Sequence, residues 1–201
     1  MSSDELRQMK AALRKQIAVA LKAAPSHVLK EQSEQVTAKL FRTPEYQTAN
    51  RISVYISTAL EVDTGPIIED LLARQKTVFV PWFQKGKPDM QMLSLLSLED
   101  YRTLPEVIWG IRQPPNAEGR VNLMDVGALD LLIAPGVAFT GSGHRLGHGR
   151  GYYDSFLHAY GQKFQTVPKT VALAFALQML DSVPMSEHDY ILDSVIWPDK
   201  K

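Results

Sequence analysis

L-D-L-L-I-A, Leu129 to Ala134, runs directly into P-G-V-A-F-T-G-S-G-H-R-L-G-H-G-R-G-Y-Y-D, Pro135 to Asp154. The first six residues form a nearly continuous apolar run. Such a run is expected of a central parallel strand covered on both faces, where alternation with polar residues is lost. The twenty that follow change character at once. They hold Gly136, Gly141, Gly143, Gly147, Gly149 and Gly151, half of the chain's 12 glycines. A buried strand feeding a glycine-rich segment is the arrangement in which α/β sheets bind ligands, beyond the carboxyl ends of their strands.

Working outward, Thr170 to Ala176 (T-V-A-L-A-F-A) repeats the apolar pattern, and a last strand is expected from Leu192 to Trp197. Upstream, Arg51 to Ser57 (R-I-S-V-Y-I-S) and Thr77 to Trp82 (T-V-F-V-P-W) are rich in β-branched residues and read as strands, with Met90 to Leu95 as a third. Leu6, Met9, Leu13, Ile17 and Leu21 recur at helical spacing, so the chain opens with an amphipathic helix. Pro25 and Ser26 interrupt it. Ser26 is expected to cap a second helix, and Thr64 a short third one carrying Ile67, Ile68, Leu71 and Leu72. Residues from Gly151 onward look like another helix start. Trp109 to Asn122, rich in Pro, Gly and Arg, reads as a long loop. Strands alternating with helices imply an α/β fold with a mostly parallel sheet, here in one domain over residues 1–201.

Composition excludes several function classes. The 201 residues carry 22 basic and 22 acidic side chains, a formal net charge of zero, so no global basic field exists to hold nucleic acid or an anionic membrane. Any anion must be held by a local cluster of cations and backbone amides. The chain has no cysteine, which removes thiolate nucleophiles and thiolate metal sites. No apolar stretch approaches the roughly 20 residues of a membrane helix. Asp4 and Glu5 stand in a segment without an apolar run, unlike a secretory signal or transit peptide. The expectation is a soluble cytoplasmic protein.

The glycine segment has the chemistry of an anion site. Glycines let backbone N–H groups approach an anion, and the interleaved Arg145 and Arg150 can donate forked hydrogen bonds to phosphate oxygens. The helix start at Gly151 adds the positive end of a dipole. Asp154, in its first turn, either faces a magnesium ion or serves the helix end. The segment is neither a Walker A loop nor G-x-G-x-x-G in a dinucleotide position. Lys10 and Arg14 lie one turn apart on the first helix, bordering its apolar stripe. They either reach into a cleft or form a solvated flank, and on sequence alone the flank is the better reading.

The string R-L-G-H-G-R-G-Y-Y-D, Arg145 to Asp154, resembles the signature loop of the 5-formyltetrahydrofolate cyclo-ligase family. The likeness extends along the chain through K-A-A-L-R (Lys10 to Arg14), R-I-S-V-Y-I-S followed by Glu61, W-G-I-R-Q-P (Trp109 to Pro114), D-L-L-I-A-P-G-V-A-F (Asp130 to Phe139) and D-Y-I-L-D (Asp189 to Asp193). The resemblance implies a three-layer α/β/α fold related to those of sugar-phosphate isomerases and coenzyme-A transferases. It implies cyclisation of 5-formyltetrahydrofolate, with or without a polyglutamate tail, at the expense of ATP and with magnesium, by a monomer. Lys10, Arg14 and the loop Arg145, Leu146, Gly147, His148, Gly149, Arg150, Gly151, Tyr152 and Tyr153 would bind ATP. Ile56, Glu61, Trp109, His148 and Tyr152 would line the folate pocket. Arg145, Arg150 and Tyr152 would be catalytic, and Asp154 and Asp189 would hold magnesium, with Asp193 as the competitor of Asp189. His148 and Arg150 stand where arginine and lysine often occur in the family.

Each assignment has a plainer counterpart. Ile56 is a core residue by default, Trp109 can simply cover a core edge, and Glu61 can be an exposed loop acid. Two rival functions remain open at this point. One is an isomerase-like enzyme on the same fold, with Glu61 as its acid–base group. The other is a folate- or nucleotide-binding regulator without activity.

Overall fold

The computed structural model describes residues 2–84, 86–87, 89–108 and 110–199. Helix α1 (Ser3–Ala23) is opened by a capping box in which Ser2 Oγ accepts from the Glu5 amide, and it is followed by α2 (Ser26–Leu40) and the short α3 (Pro44–Thr48). Strand β1 (Arg51–Val54) leads to α4 (Gly65–Ala73), then to β2 (Thr77–Phe83) and β3 (Met90–Ser94). Next come α5 (Leu98–Thr103), a small hairpin of β4 (Glu106–Ile108) and β5 (Ile111–Arg112), and α6 (Leu123–Val126). Strand β6 (Leu131–Ala134) feeds a second hairpin, β7 (Ala138–Phe139) with β8 (Arg145–Leu146). The chain ends with α7 (Tyr152–Phe164), β9 (Lys169–Leu173), a 3₁₀ turn over Ala176–Gln178, and β10 (Ser194–Ile196).

The main sheet has the order β10-β9-β6-β1-β2-β3. Its pairs are parallel except β2 with β3, which form an antiparallel edge. The expected mostly parallel α/β fold is therefore present. All four residues of β6 are fully buried. Its alternate side chains serve two cores, Leu131 and Ile133 on one face and Leu132 and Ala134 on the other. The first core also takes residues of α1, α2 and α4, and the second takes Phe156, Leu157 and Tyr160 of α7. That is a three-layer sandwich, and the period of two in the side-chain direction divides each strand between the layers.

Four readings of the sequence need correction. Ser26 is the first residue of α2 rather than its cap, because Pro25 takes the N-cap position without a side-chain bond. Thr64 sits at the N-cap of α4 but makes no capping bond. Its hydroxyl donates to Tyr55 O at 2.7 Å and accepts from Ser57 N at 3.1 Å, closing the loop after β1. Met9 is exposed, so the apolar stripe of α1 is buried only towards Ile17 and Leu21. The stretch read as a long loop carries β5 within its described residues 110–122, and it is docked on the sheet. The buried Gln113 accepts from Phe83 N at 3.0 Å and donates to Phe83 O at 2.9 Å, as a neighbouring strand would. Trp82 Nε1 donates to Pro114 O at 3.0 Å.

One ion pair fastens this long segment to the molecule. Arg120 grips Asp100 with both terminal nitrogens, and its side chain is only 7% exposed. The Asp100 carboxyl lies below its ordinary range, first because of the Arg120 hydrogen bond, against the opposing effect of burial. Removing one partner of a buried pair strands the other charge, at a cost of about 3–5 kcal/mol. Asp100→Asn should therefore lower unfolding free energy at neutral pH by an amount approaching that range, read by urea denaturation. The folded-state pKa is depressed, so this contribution is present above the unfolded carboxylate value and is lost as pH falls through the folded one. Wild type and variant should converge in acid, and a difference that persists there would reject the ion pair as its cause.

The β7–β8 hairpin generates a second prediction. Gly143 has φ +87°, and a Cβ at this position would lie 2.0 Å from Leu192 O. The same residue accepts from Leu192 N at 2.9 Å. Gly119 shares the left-handed backbone, with φ +69°, but a Cβ there meets nothing within 4 Å, so Gly143→Ala should cost about 1–3 kcal/mol more than Gly119→Ala through the clash and loss of that contact. Equal midpoints of thermal unfolding for the two variants would refute this account.

Candidate active site

The chain order places a switch point between β1 and β6. From β1 the chain moves to β2 and β3 on one side, then returns to β6 on the other. The loops leaving β1 and β6 consequently diverge and leave a crevice at the strands' carboxyl ends. A cavity of about 720 Å³ lies there, with a mostly apolar wall. The segment after β1 gives it Tyr55, Ile56, Thr58 and Glu61. The end of β2 gives Pro81 and Phe83, and β6 is followed into it by Pro135, Gly136 and Val137. Arg14, Ala18 and Leu21 of α1 close one side, and Arg145, Gly147, His148, Arg150, Gly151, Tyr152, Tyr153 and Asp154 close the other.

Most sequence candidates therefore meet in one place, but not in the way the motif suggests. The glycine segment divides in two. Its first half is ordered by pairing, with Ala138 opposite Leu146 and Phe139 opposite Arg145. Thr140 accepts from Gly143 N, and its own amide donates to His144 O at 3.0 Å, so Gly141 and Gly143 serve a turn rather than an anion. Only Gly147, Gly149 and Gly151 belong to the part that can cradle one. Gly149 has φ +100° and its Cα lies against the Arg14 guanidinium. Gly151 has φ +70° at the N-cap of α7. The first amides of a helix lack intrahelical acceptors, so this end of α7 points donors toward the crevice. Leu146 is buried in the core, its carbonyl accepts from Val137 N, and it does not line the cavity.

Arg145 is the largest departure from expectation. Its side chain is 3% exposed, with Nη2 on Asp154 Oδ1 at 2.8 Å and Nη1 on Pro135 O at 3.2 Å. Two of its nitrogens are thus spent on the protein. Nε is buried without a partner among the described residues, as is the hydroxyl of Tyr153, which also lines the cavity. The Arg145 guanidinium lies over the Tyr153 ring at 5.8 Å. Burial, with the charge of Glu61 added, pushes the Tyr153 phenol above its usual range. It enters the site as a neutral donor. A buried donor left unsatisfied is costly, and such groups mark places where a ligand or water supplies the missing partner.

Arg14 and Lys10 part company. Arg14 Nε donates to Gly147 O at 2.8 Å, which fastens α1 to the loop and keeps the guanidinium on the cavity wall. Burial lowers its pKa, against the raising influence of the Asp189 charge. Lys10 does not line the cavity but pairs with Asp189, and both side chains are under 20% exposed. Neither residue forms a solvated flank. Asp189 also accepts from Ser186 N and Oγ at 2.6 and 3.0 Å. Burial would raise its carboxyl, but these donors and Lys10 hold it below the ordinary value. The next residue, Tyr190, donates its amide to Asp154 Oδ1 at 3.0 Å and so ties the segment carrying Asp189 to α7. Asp193 is employed elsewhere. Its Oδ2 accepts from Thr170 N and Oγ1 at 2.8 and 2.7 Å, clipping the end of the chain to β9.

Ile56 is buried and forms cavity wall at the same time. Glu61 is not an exposed loop acid, since its side chain is 10% exposed. Its Oε2 accepts from Thr58 N and Oγ1, each at 2.8 Å, and His148 Nε2 lies 3.2 Å from Oε1. Burial works to raise the Glu61 carboxyl, yet His148 and the Thr58 donors outweigh it and hold the group low. Trp109 lies outside the described residues. Phe83, absent from the sequence candidates, packs on Tyr152 with ring centroids 4.9 Å apart. Its position at the carboxyl end of a parallel strand was the available signal. Gln178 had none. Its buried amide donates to Gly136 O and Val137 O at 3.0 and 3.1 Å and accepts from Phe175 N at 2.8 Å, shaping the floor after β6.

Known proteins share this arrangement. A probable 5-formyltetrahydrofolate cyclo-ligase of Caenorhabditis elegans is 37% identical over 96% of this chain and 94% of its own. The 5-formyltetrahydrofolate cyclo-ligase of Mus musculus is 35% identical over 99% and 98%. The NMR structure of Aquifex aeolicus 5,10-methenyltetrahydrofolate synthetase superposes with a TM-score of 0.74 at 26% identity, covering 94% of this chain and 89% of that one. Residues 6–198 match the family as a whole, and the chain belongs to the 5-formyltetrahydrofolate cyclo-ligase family.

Proposed function

We propose that the chain catalyses the ATP-dependent cyclisation of 5-formyltetrahydrofolate to 5,10-methenyltetrahydrofolate, releasing ADP and phosphate. The observation that carries this reading is a single cavity with two chemistries. One set of lining groups is Arg14, Arg150 and the backbone of Gly147 and Gly151 ahead of α7. The other set is the apolar Ile56, Phe83 and Tyr152 with the buried acceptor Glu61. The first suits a triphosphate and the second a flat, amino-bearing ring system.

The chemistry needs alignment more than it needs a nucleophile. The formyl oxygen attacks the γ-phosphorus and ADP departs. The phosphorylated oxygen is now a good leaving group. The N10 amine attacks the former formyl carbon, phosphate leaves, and the ring closes. Arg150 is the cation we assign to the charge that develops on the transferred phosphoryl group. Arg145 serves that charge more indirectly than its motif implies, by holding Asp154 and the Pro135 carbonyl in place and offering the buried Nε, which has no partner among the described residues.

Magnesium fits the donor set. Among the described residues no group of three or more His, Asp or Glu side chains forms a ready cage. Magnesium usually takes one or two carboxylates and completes its shell with phosphates and water. Asp154 and Asp189 would be those two, and Asp189 already selects a cation in the Lys10 ammonium. When bound, the ion would neutralise phosphate oxygens. The isomerase reading is less well supported. An acid–base carboxyl works best poised near neutrality, whereas Glu61 is held low.

The test is absorbance in the methenyl band with 5-formyltetrahydrofolate and magnesium, with and without ATP. An ATP-dependent rise is expected, and no rise from folded protein would sink the assignment. Arg150→Met should lower kcat by about 10²-fold while leaving binding of the folate unchanged. Parallel loss of folate binding would reject the phosphoryl-stabilising role.

A further inference from the structure

One contact at the cavity mouth is not used by the chemistry above. Glu61 comes from the loop after β1 and His148 from the loop ahead of α7, so their contact joins the two walls of the crevice. The acid is inside, at 10% exposure, and the imidazole, at 57%, covers it from solvent. Glu61 Oε2 is committed to Thr58, which leaves Oε1 to receive any ligand donor, and Oε1 is where His148 Nε2 sits. An amino group of the substrate that needs this carboxylate therefore meets a competitor already in place.

We propose that His148 is a positioning residue that latches Glu61 in the empty enzyme, so that 5-formyltetrahydrofolate must displace or share the imidazole to bind. The inference rests on Glu61 being the acceptor for the substrate's amino-bearing ring. Its consequence is a dependence on pH. The carboxylate attracts an imidazolium more strongly than a neutral imidazole, because the second charge adds a Coulombic term to the same hydrogen bond. The latch is tighter with an imidazolium and looser with a neutral ring.

Glu61 faces Thr58, and its charge reaches the phenols of Tyr55 and Tyr153, both pushed upward by burial and by the Glu61 charge. Asp63 follows on the same loop. His148 is flanked by Arg14, fixed on Gly147, and by Arg150. Among these types only histidine ordinarily changes charge between about pH 5 and 8. Solvent access to His148 screens the pair, so the effect is modest, about three- to fivefold in affinity.

The experiment is calorimetric binding of 5-formyltetrahydrofolate, without ATP or metal, to wild type, His148→Gln and His148→Arg from about pH 6 to 8.5. Wild-type affinity should rise three- to fivefold with pH. His148→Gln should bind without pH dependence, and His148→Arg should bind more weakly than His148→Gln at every pH and likewise without pH dependence. A flat wild-type profile, or an unchanged slope in His148→Gln, overturns the latch and leaves the functional reading standing. Absence of binding to folded wild type at every pH overturns both.

Discussion

The buried guanidinium of Arg145 is the constraint around which the site is built. A charge at 3% exposure is tolerable only where an opposite charge and hydrogen bonds offset its burial. Here they reach in two directions, to the carbonyl that ends β6 and to the first turn of α7. The distance between the sheet and the helix is thereby set by one rigid planar group. The hairpin of β7 and β8 presents that group, and Gly143 keeps the hairpin close enough to Leu192 to do so. Asp154, gripped by Arg145 and by the amide of Tyr190, then fixes where the segment carrying Asp189 can lie. Loop, helix start and carboxylates form one preorganised body.

This reassigns the meaning of a motif. In sequence an arginine among glycines looks like an exposed hand for an anion. In the fold, Arg145 is mostly a structural strut whose Nε is left without a partner among the described residues, and Arg14, from the far end of the chain, supplies a cation to the cavity wall. Such a strut is costly to disturb, because a buried charge without its partner is worse than none.

What could be read from sequence followed from how local each signal was. The apolar runs of β6 and β9 announced a doubly covered parallel sheet, because burial on both faces leaves a mark within five residues. The glycine cluster announced the crevice for the same reason. The division of that cluster between a hairpin and a cradle was not legible, since it depends on Leu192, far along the chain. Nor was the burial of Arg145, or the role of Gln113 and Gln178, whose amides stand in for missing strand partners. A polar side chain carries no sign of whether it will be buried. Thr64 shows the same limit at short range. Its position was right for a cap, but its hydroxyl found Tyr55 O more useful.

The groups around the cavity are held unequally, and the inequality suits the proposed reaction. Phosphoryl transfer gains most from groups that need not move, because alignment and electrostatic preorganisation supply most of the barrier reduction. Arg14, Arg145 and the amide of Tyr190 fasten α1, the glycine loop, α7 and the segment carrying Asp189 to one another. Glu61 is anchored through one oxygen to Thr58, while the other oxygen meets an exposed histidine. On the proposed reading the fastened groups would serve the reacting phosphates, and the contact of Glu61 with His148 would be the adjustable one, where displacement costs only a screened hydrogen bond.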